Sequence, residues 1–359
     1  MTVGEVPRLP AGLVDELRRQ AGRCRASSPL YTALLERLAE DAEAGGITAK
    51  LLAPYADEPL ATVPGLRLLG AVHRLVLEGR LPTLAAFYPT AGGTGPPDEA
   101  WPAFRSALVE HADELRPLIA APLQTNETGR AAPLYGGALV VAAATGLPLR
   151  LLEIGASAGL NLRMDKFGYR VGGQLLGDPH SPLVLEEPWE GAPAVPAGTR
   201  LQVVERRGCD PRPIDPASDD GSMRLASLIW ADPERLRRLR AALAVAEQLP
   251  ATVDAASADD WLAERLAEPA PGTATVVWHS VVRQYVDPVR WRRVGELLRR
   301  AGDFATVDAP LAHLAFEPEV AVDGGYTFAL RLTLWPGGCT ETLATAGGHG
   351  TPVRWRMTA

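Results

Sequence analysis

The residues best suited to chemistry stand in one stretch, Leu149 to Leu162, which reads LRLLEIGASAGLNL. An apolar run of strand type ends there in a turn of small residues, Gly155-Ala156-Ser157-Ala158-Gly159. A strand that stops at glycines lets backbone N–H groups and the positive end of a following helix approach a bound ligand. Glu153 is next to last in the strand, where burying a carboxylate costs free energy unless it has a purpose. The stretch therefore predicts a ligand-binding turn with an acidic residue beside it.

The turn has several interpretations. A dinucleotide site needs G-x-G-x-x-G, and Ser157 and Leu160 occupy the second and third glycine positions, so that motif is absent. Read literally, the turn is the G-x-S-x-G nucleophile elbow of α/β-hydrolases, with Ser157 as nucleophile and Asp308 with His313 or His349 completing a triad. A tight turn that binds no ligand is a further interpretation.

Composition limits the classes of function. A chain of 359 residues that is 47% hydrophobic predicts two domains, or one core with a large appendage. Its net charge of -7 disfavours nucleic acid as a partner, because phosphate binding needs a basic surface. Cys24, Cys209 and Cys339 are widely spaced, so we expect neither disulfides nor a metal site. Since no secretory or membrane-spanning apolar run is present, we expect a cytoplasmic protein that does not contact membranes.

The first part of the chain predicts helices, and we assign residues 1–145 to a helical cap domain. Near its end, Pro122 to Arg130 reads PLQTNETGR and concentrates hydrogen-bonding side chains before an apolar helix. Capping that helix would use one or two of them. The larger number makes a role in binding substrate or cofactor an equal alternative.

Residues 146–359 predict a doubly wound α/β domain, because strand-like runs alternate with helical ones and a late hairpin follows. A β-hairpin at Tyr169 to Leu176 marks residues 165–198 as an insertion. Seven strands are predicted, the last two antiparallel, and they begin at Leu149, Leu201, Ala251, Thr273, Phe304, Tyr326 and Val353. The fifth is expected over Phe304 to Val307 and the last over Val353 to Met357.

This order resembles class I S-adenosylmethionine (SAM) methyltransferases, whose first strand closes on an acidic residue one before a glycine in a G-x-x-x-G loop. The resemblance implies that the turn binds the methionine part of SAM, that Asp210, or else Glu205, holds the ribose, and that residues after the third strand hold the adenine. The cofactor-binding residues that it implies are Glu153, Gly155, Ala156, Ser157, Gly159, Asn161, Asp210, Asp259, Asp260, Trp261, His279 and Ser280.

The acceptor would lie near the end of the fourth strand. His279 follows a buried strand, and its imidazole can take a proton near neutral pH, so we expect it to be the base. Tyr285 and Glu127 are the other candidate catalytic residues. Candidate substrate-binding residues are Gln124, Asn126, Arg130 and Arg283. The acidic composition favours a small molecule or a peptide as the acceptor.

The whole chain also resembles an uncharacterised bacterial family, domain of unknown function 2332. The resemblance runs through SPLY, AVHRLVLEGR, QTNETGR, EIGASAGLNL, GCDPRPIDP, VVWHSVVRQY and LWPGG. It implies that these segments share one scaffold and names no reaction. We therefore expect a SAM-dependent methyltransferase. The alternatives are a methyltransferase-like protein that binds SAM or another nucleotide without transfer activity, and a serine hydrolase that uses Ser157.

Overall fold

The computed structural model describes residues 9–25, 27–320 and 326–356. It shows a mixed α/β protein with a helical N-terminal part and a large mixed sheet of nine strands. The chain forms two compact units: the described part of Met1–Thr125 with Asp219–Arg237, and Asn126–Ser218 with the described part of Arg238–Ala359. This division differs from the predicted boundary at residue 145, because the helix over residues 131–145 belongs to the unit that contains the sheet.

The first unit is helical. Ser28 caps the second helix as its side chain accepts a hydrogen bond from the Tyr31 N–H, and Pro29 occupies the first turn, as such a start requires. Leucines at helical spacing, on one face of each of the first two helices, form the unit's core with the helices that follow. Its helices are α1 Ala11–Cys24, α2 Pro29–Glu43, α3 Ile47–Leu52, α4 Pro64–Leu77, α5 Pro82–Ala85, α6 Trp101–Glu110, α7 Ala112–Ala120 and α9 Asp219–Ser227. The residues between α7 and α9 belong mostly to the second unit.

The second unit contains every described strand. The strands are β1 Leu149–Ile154, β2 Gly168–Val171, β3 Gln174–Gly177, β4 Val184–Glu186, β5 Trp189–Glu190, β6 Val203–Asp210, β7 Thr252–Ala255, β8 Ala274–Ser280, β9 Leu311–Val320, β10 Tyr326–Trp335, β11 Cys339–Ala346 and β12 Val353–Trp355. Its helices are α8 Ala131–Thr145, α11 Ala258–Arg265 and α12 Pro288–Asp303, while α10 Pro233–Gln248 continues into it from the first unit.

The large sheet has the order β5-β12-β11-β10-β9-β8-β1-β6-β7. The five strands from β7 to β9 are parallel, with β1 in the middle, and the direction of chain progress reverses between β1 and β8. The carboxyl ends of strands beside such a reversal form the ligand-binding crevice of open α/β sheets. From β9 onward the chain turns directly into an antiparallel meander, β9 to β12.

Helices cover both faces of the sheet. Gly137 in α8 packs against Leu314 and Leu330, whereas Leu311 packs with Val294 and Leu298 of α12. Because successive side chains of a strand point to opposite faces, Leu311 and Leu314 assign α8 and α12 to opposite faces. We call these the α8 face and the α12 face.

The predicted hairpin insertion is confirmed in part. β2 and β3 pair antiparallel as expected and form a separate three-stranded sheet with β4. However, β5 lies within residues 165–198 and joins the edge of the large sheet beside β12. The insertion therefore contributes one strand to the main sheet.

The strands predicted after β8 agree with the structure only in part. Phe304 to Val307 forms no strand, and Phe304 and Val307 are 70% and 82% exposed. The fifth parallel strand is β9, in which Pro318 and alternating charged residues weaken the strand pattern. β11 was not predicted. β12 is confirmed over Val353–Trp355, and Met357 lies outside the described residues.

Candidate functional site

The turn after β1 is held in a left-handed conformation at three residues. Gly155, Ser157 and Gly159 have φ of 67°, 54° and 66°. Glycine adopts this region readily, whereas serine pays a steric cost. A side chain on Gly155 would collide with Val282, whose Cγ2 lies 2.6 Å from the position a Cβ would take. The backbone conformation of the turn therefore favours glycine at positions 155 and 159, and the Ser157 backbone is strained.

Asp210, at the carboxyl end of β6, stabilises this turn through hydrogen bonds to backbone N–H groups. Its Oδ2 accepts a hydrogen bond from the Ser157 N–H at 3.0 Å, and its Oδ1 accepts one from the Arg212 N–H at 2.9 Å. The other ribose candidate, Glu205, pairs with Arg150 at 2.8 Å, near the start of β1. Of the two acids, Asp210 is therefore the one at the edge of the sheet where the turn lies.

Three buried hydrogen-bond acceptors lie in this stretch without a partner among the described residues. They are Glu153 Oε2, Ser157 Oγ and Asn161 Oδ1, in side chains of residues that are 2%, 5% and 1% exposed. The Trp278 Nε1 also lacks an acceptor, and Trp278 is the neighbour of Glu153 in β8 on the α8 face. Buried polar atoms are normally hydrogen-bonded, so such a concentration marks a functional candidate.

Burial, and to a smaller extent the charge of Asp210, raises the pKa of Glu153 well above its usual value. Arg163 opposes this rise, and burial lowers the pKa of Arg163 itself to about 10. Burial thus favours the neutral form of Glu153 in the protein alone. A cation bound beside it would favour its ionised form.

The segment before α8 braces the turn and neighbouring loops. Asn126 Oδ1 accepts a hydrogen bond from the Leu160 N–H at 2.9 Å, and the Asn161 side chain donates to the Glu127 carbonyl at 3.1 Å. The Arg130 guanidinium donates to the Ser280 carbonyl at the end of β8 and to the Gly348 carbonyl.

Glu127 is buried within this segment. Its Oε1 accepts from the Gly129 N–H at 3.1 Å and lies 3.8 Å from Arg238, while Oε2 lies 3.2 Å from His349 Nδ1. These contacts give Glu127 a structural role, linking the loop after β11 to the start of α8.

The loop after β8 lies against the glycine turn. Val281 has φ of 56°, a strained value for a β-branched residue, and the following Val282 covers Gly155. Strained residues thus flank the reversal point of the sheet on both β1 and β8. Observed strain of this kind is typical of functional sites.

His279 does not face an acceptor as a free base. It is 1% exposed, its Nδ1 lies 2.7 Å from Glu317 Oε1, and its Nε2 lies 3.1 Å from His313 Nε2. The ring also meets the edge of Trp291 at a centroid distance of 4.9 Å. Both imidazole nitrogens therefore have protein partners.

The three residues expected to hold the adenine have structural contacts instead. Asp259 and Asp260 form ion pairs with Arg290 and Arg293 of α12, and the carboxylates also accept from the Ser257 hydroxyl. Trp261 is buried and donates to Asp254 at 2.6 Å. These contacts join α11 to α12 and to β7.

The remaining candidates make other contacts or are exposed. Tyr285 is 53% exposed, and Arg283 is exposed and uses its backbone N–H to bind Glu317 at 3.2 Å. Gln124 belongs to the first unit, where it accepts a hydrogen bond from Arg224. For the hydrolase interpretation, Ser157 Oγ contacts no histidine among the described residues.

Glu317 and His313 both contact His279, which was not predicted: the sequence assigned His313 to a hydrolase triad, and for Glu317, beyond the fifth strand, it left the lining of an acceptor pocket and the surface as equal alternatives. Both come from β9, whose strand pattern is interrupted by Pro318. The signal that could have found them is the alternation of His313 and Glu317 with buried Leu314 and Phe316, because that period of two places both polar side chains on one face.

The strain at Ser157 is testable. We expect Ser157→Gly to be about 1 kcal/mol more stable than Ser157→Ala, because glycine adopts φ of 54° without steric cost. Urea denaturation measures the difference. Ala158→Gly is the matched control and should lose stability, since φ at Ala158 is not positive. Equal stability of the two Ser157 variants would contradict strain at this residue.

Comparisons with known proteins define the family. No helix among the described residues is long and apolar enough to cross a membrane. No curated protein and no solved structure matches the chain. A family model matches residues 14–355, nearly the whole sequence. The chain therefore belongs to the family described as an uncharacterized protein conserved in bacteria (DUF2332).

Proposed function

We propose that this protein is a SAM-dependent methyltransferase that acts on a small molecule or a peptide and binds SAM at the carboxyl ends of β1, β6 and β8. The observation that carries the proposal is the set of buried acceptors in and beside the glycine turn that have no partner among the described residues: Glu153 Oε2, Ser157 Oγ and Asn161 Oδ1. Three acceptors match in number the three N–H donors of an ammonium group, which SAM carries on its methionine part.

The parallel part of the sheet supports this proposal. From β7 to β9 the strands follow the order 3-2-1-4-5 of nucleotide-binding α/β folds, and the glycine turn follows the first strand at the reversal point. We also propose that the sheet corresponds to the seven-stranded sheet of class I methyltransferases. Here the antiparallel meander β9 to β12, extended by β5, would replace its last strands.

The chain's residues fit SAM at two of three positions. Glu153 and the turn would hold the methionine part, and Asp210 would hold the ribose at the end of β6. A carboxylate accepts about four hydrogen bonds, so the bonds to Ser157 and Arg212 do not by themselves exhaust Asp210. The ion pairs of Asp259 and Asp260 give no support for an adenine contact. When bound, SAM would supply an electrophilic methyl group.

The contacts of His279 favour the second candidate, a protein that binds SAM or another nucleotide without transferring a methyl group. With Nδ1 held by Glu317 and Nε2 by His313, His279 could accept a proton from an acceptor only after a change of partner. The hydrolase candidate has strain at Ser157 in its favour, since a nucleophile elbow is strained, but it lacks a histidine at Ser157 Oγ.

Calorimetric titration of the folded protein with SAM and S-adenosylhomocysteine tests the proposal. We expect micromolar dissociation constants for both ligands. No binding by protein with a cooperative unfolding transition would refute the methyltransferase and the SAM-sensing alternative together. In that case, labelling by a fluorophosphonate, with Ser157→Ala as control, decides on the hydrolase. SAM binding without turnover across a panel of acceptors supports the candidate that lacks transfer activity.

A further inference from the structure

Glu317 lies near the carboxyl end of the parallel strand β9. The two oxygens of its carboxylate differ in their hydrogen bonds: one has three donors, and the other has no donor among the described residues. Its Oε1 lies 2.7 Å from His279 Nδ1 and accepts the Val282 N–H at 2.9 Å and the Arg283 N–H at 3.2 Å. Its Oε2 is buried and has no partner among the described residues. One half of this carboxylate therefore orders the loop after β8, and the other half has no partner in the described part of the chain.

The carboxylate is ionised at neutral pH. Burial raises the pKa of Glu317, but the hydrogen bond and charge of His279 and the two backbone N–H groups outweigh burial, and the net pKa is lowered. An ionised oxygen without a donor is unfavourable in a protein interior. A group that donates a hydrogen bond and carries positive charge would compensate this oxygen most strongly.

The two histidines supply no donor to Oε2. Burial, followed by the charge of His279, lowers the pKa of His313 to about 3, so His313 is neutral. With Nδ1–H of His279 donating to Glu317, a neutral His279 accepts at Nε2 the proton of His313 Nε2. A protonated His279 donates in both directions, and His313 then changes tautomer. In either state both hydrogen bonds persist and Oε2 stays without a donor.

We infer that Glu317 Oε2 binds an ammonium group of a small molecule, and that the methyl acceptor is therefore a molecule that carries such a group. The first clause stands on the geometry of Glu317, and the second rests on the proposed function. An ammonium group provides donor and charge together, whereas an anion would be repelled by the carboxylate. Three His, Cys, Asp or Glu side chains able to hold a metal ion occur nowhere in the described part of the chain.

The position of Glu317 suits an acceptor site. Through Val282 and Arg283 it holds the loop whose Val282 covers Gly155 of the glycine turn. β9 is the second strand from β1, separated from it by β8, and its carboxyl end lies along the same edge of the sheet. An amine at Glu317 would thus lie at the edge of the parallel strands that holds the proposed SAM site.

The test uses full-length protein labelled with ¹⁵N at its six histidines and titrated with ethylammonium chloride. Imidazole signals are assigned with His279→Gln and His313→Gln. We expect saturable shifts of the His279 and His313 signals, no shift of the exposed His180, and no response to sodium acetate. Shifts that are absent, or that acetate reproduces, would overturn the amine site.

Glu317→Gln should weaken ethylammonium binding at least tenfold. Glu319→Gln is the matched control, because Glu319 lies two residues along the same strand and pairs with Arg331, and it should bind as the wild type does. Undiminished binding by Glu317→Gln overturns the inference. If that variant does not fold, Glu317→Asp retains the charge on a shorter side chain and should bind measurably more weakly; wild-type affinity in Glu317→Asp would count against the site.

Titration of the same labelled sample with SAM separates the two proposals. SAM binding without ethylammonium binding overturns the amine site and leaves the cofactor proposal supported. Ethylammonium binding without SAM binding supports the amine site and refutes the proposed function.

Discussion

Replacing Asp210 by alanine is expected to abolish SAM binding at millimolar concentrations of ligand and to lower the free energy of unfolding by about 3 kcal/mol. Both effects have one cause. The carboxylate accepts the N–H groups of Ser157 and Arg212, and Asp210 is 8% exposed, so its loss leaves backbone donors near the turn without their acceptor. The turn would then lose the conformation that positions its ligand-binding atoms.

The measurement combines calorimetric titration with denaturation in urea. Asp215→Ala is the control, since Asp215 lies in the same loop, is exposed, and accepts the Ala217 N–H. It should bind SAM as the wild type does. Asp210→Asn retains one acceptor oxygen and should recover part of the stability. SAM binding by a well-folded Asp210→Ala variant would show that Asp210 does not hold the ribose.

Replacing Glu153 by glutamine is expected to weaken SAM binding about tenfold and to remove the release of a proton that accompanies it. Burial and the neighbouring Asp210 raise the pKa of Glu153, which favours its protonated form in the free protein. An ammonium bound beside it favours the carboxylate, so SAM binding should be accompanied by release of a proton. The neutral amide has no proton to release and no charge to offer.

Titrations in phosphate and in Tris measure this proton, because the two buffers differ in their heat of ionisation. The wild type should bind SAM more tightly as pH rises from 6 towards 7.5, and Glu153→Gln should show no such gain. Glu205→Gln is the control, since Glu205 pairs with Arg150 away from the turn. Proton release that persists in Glu153→Gln would assign it to another group.

The same residue makes the stability of the free protein depend on pH. A carboxyl group whose pKa is raised by folding stabilises the folded state below its unfolded pKa, and this stability is lost as pH rises through the folded pKa. The wild type should therefore become less stable relative to Glu153→Gln as pH rises from 5 to 8. Thermal unfolding of both variants across this range measures the difference.

Local pattern predicted several elements that the structure contains. Ser28 and Pro29 marked the start of α2, the apolar run ending at Gly155 marked β1, and the nearly continuous apolar run from Thr273 marked β8. In each case the determining interactions lie within a few residues: a cap bond, a positive φ, or a period of hydrophobicity. Such features can be read from neighbouring residues alone.

Other parts of the sheet depend on distant partners. β5 is two residues long, and it forms because Trp189 pairs with Val353, far along the chain. β9 carries Pro318 and two glutamates, yet β8 and β10 on either side make it a central strand. Phe304 to Val307 has the apolar composition of a strand and remains exposed because no neighbour pairs with it among the described residues.

The sequence by itself determined the chemistry that is available: the glycine turn, Glu153, Asp210 and His279 are each recognisable from residue type and position. Only the tertiary structure decided which of these groups lack partners. His279 meets Glu317 across 38 residues and Asp259 meets Arg290 across 31, and these contacts give both residues structural bonds. Glu153 meets no such partner at Oε2. The physical reason is that burial and hydrogen-bond pairing depend on strand order and register, which local residue patterns do not specify.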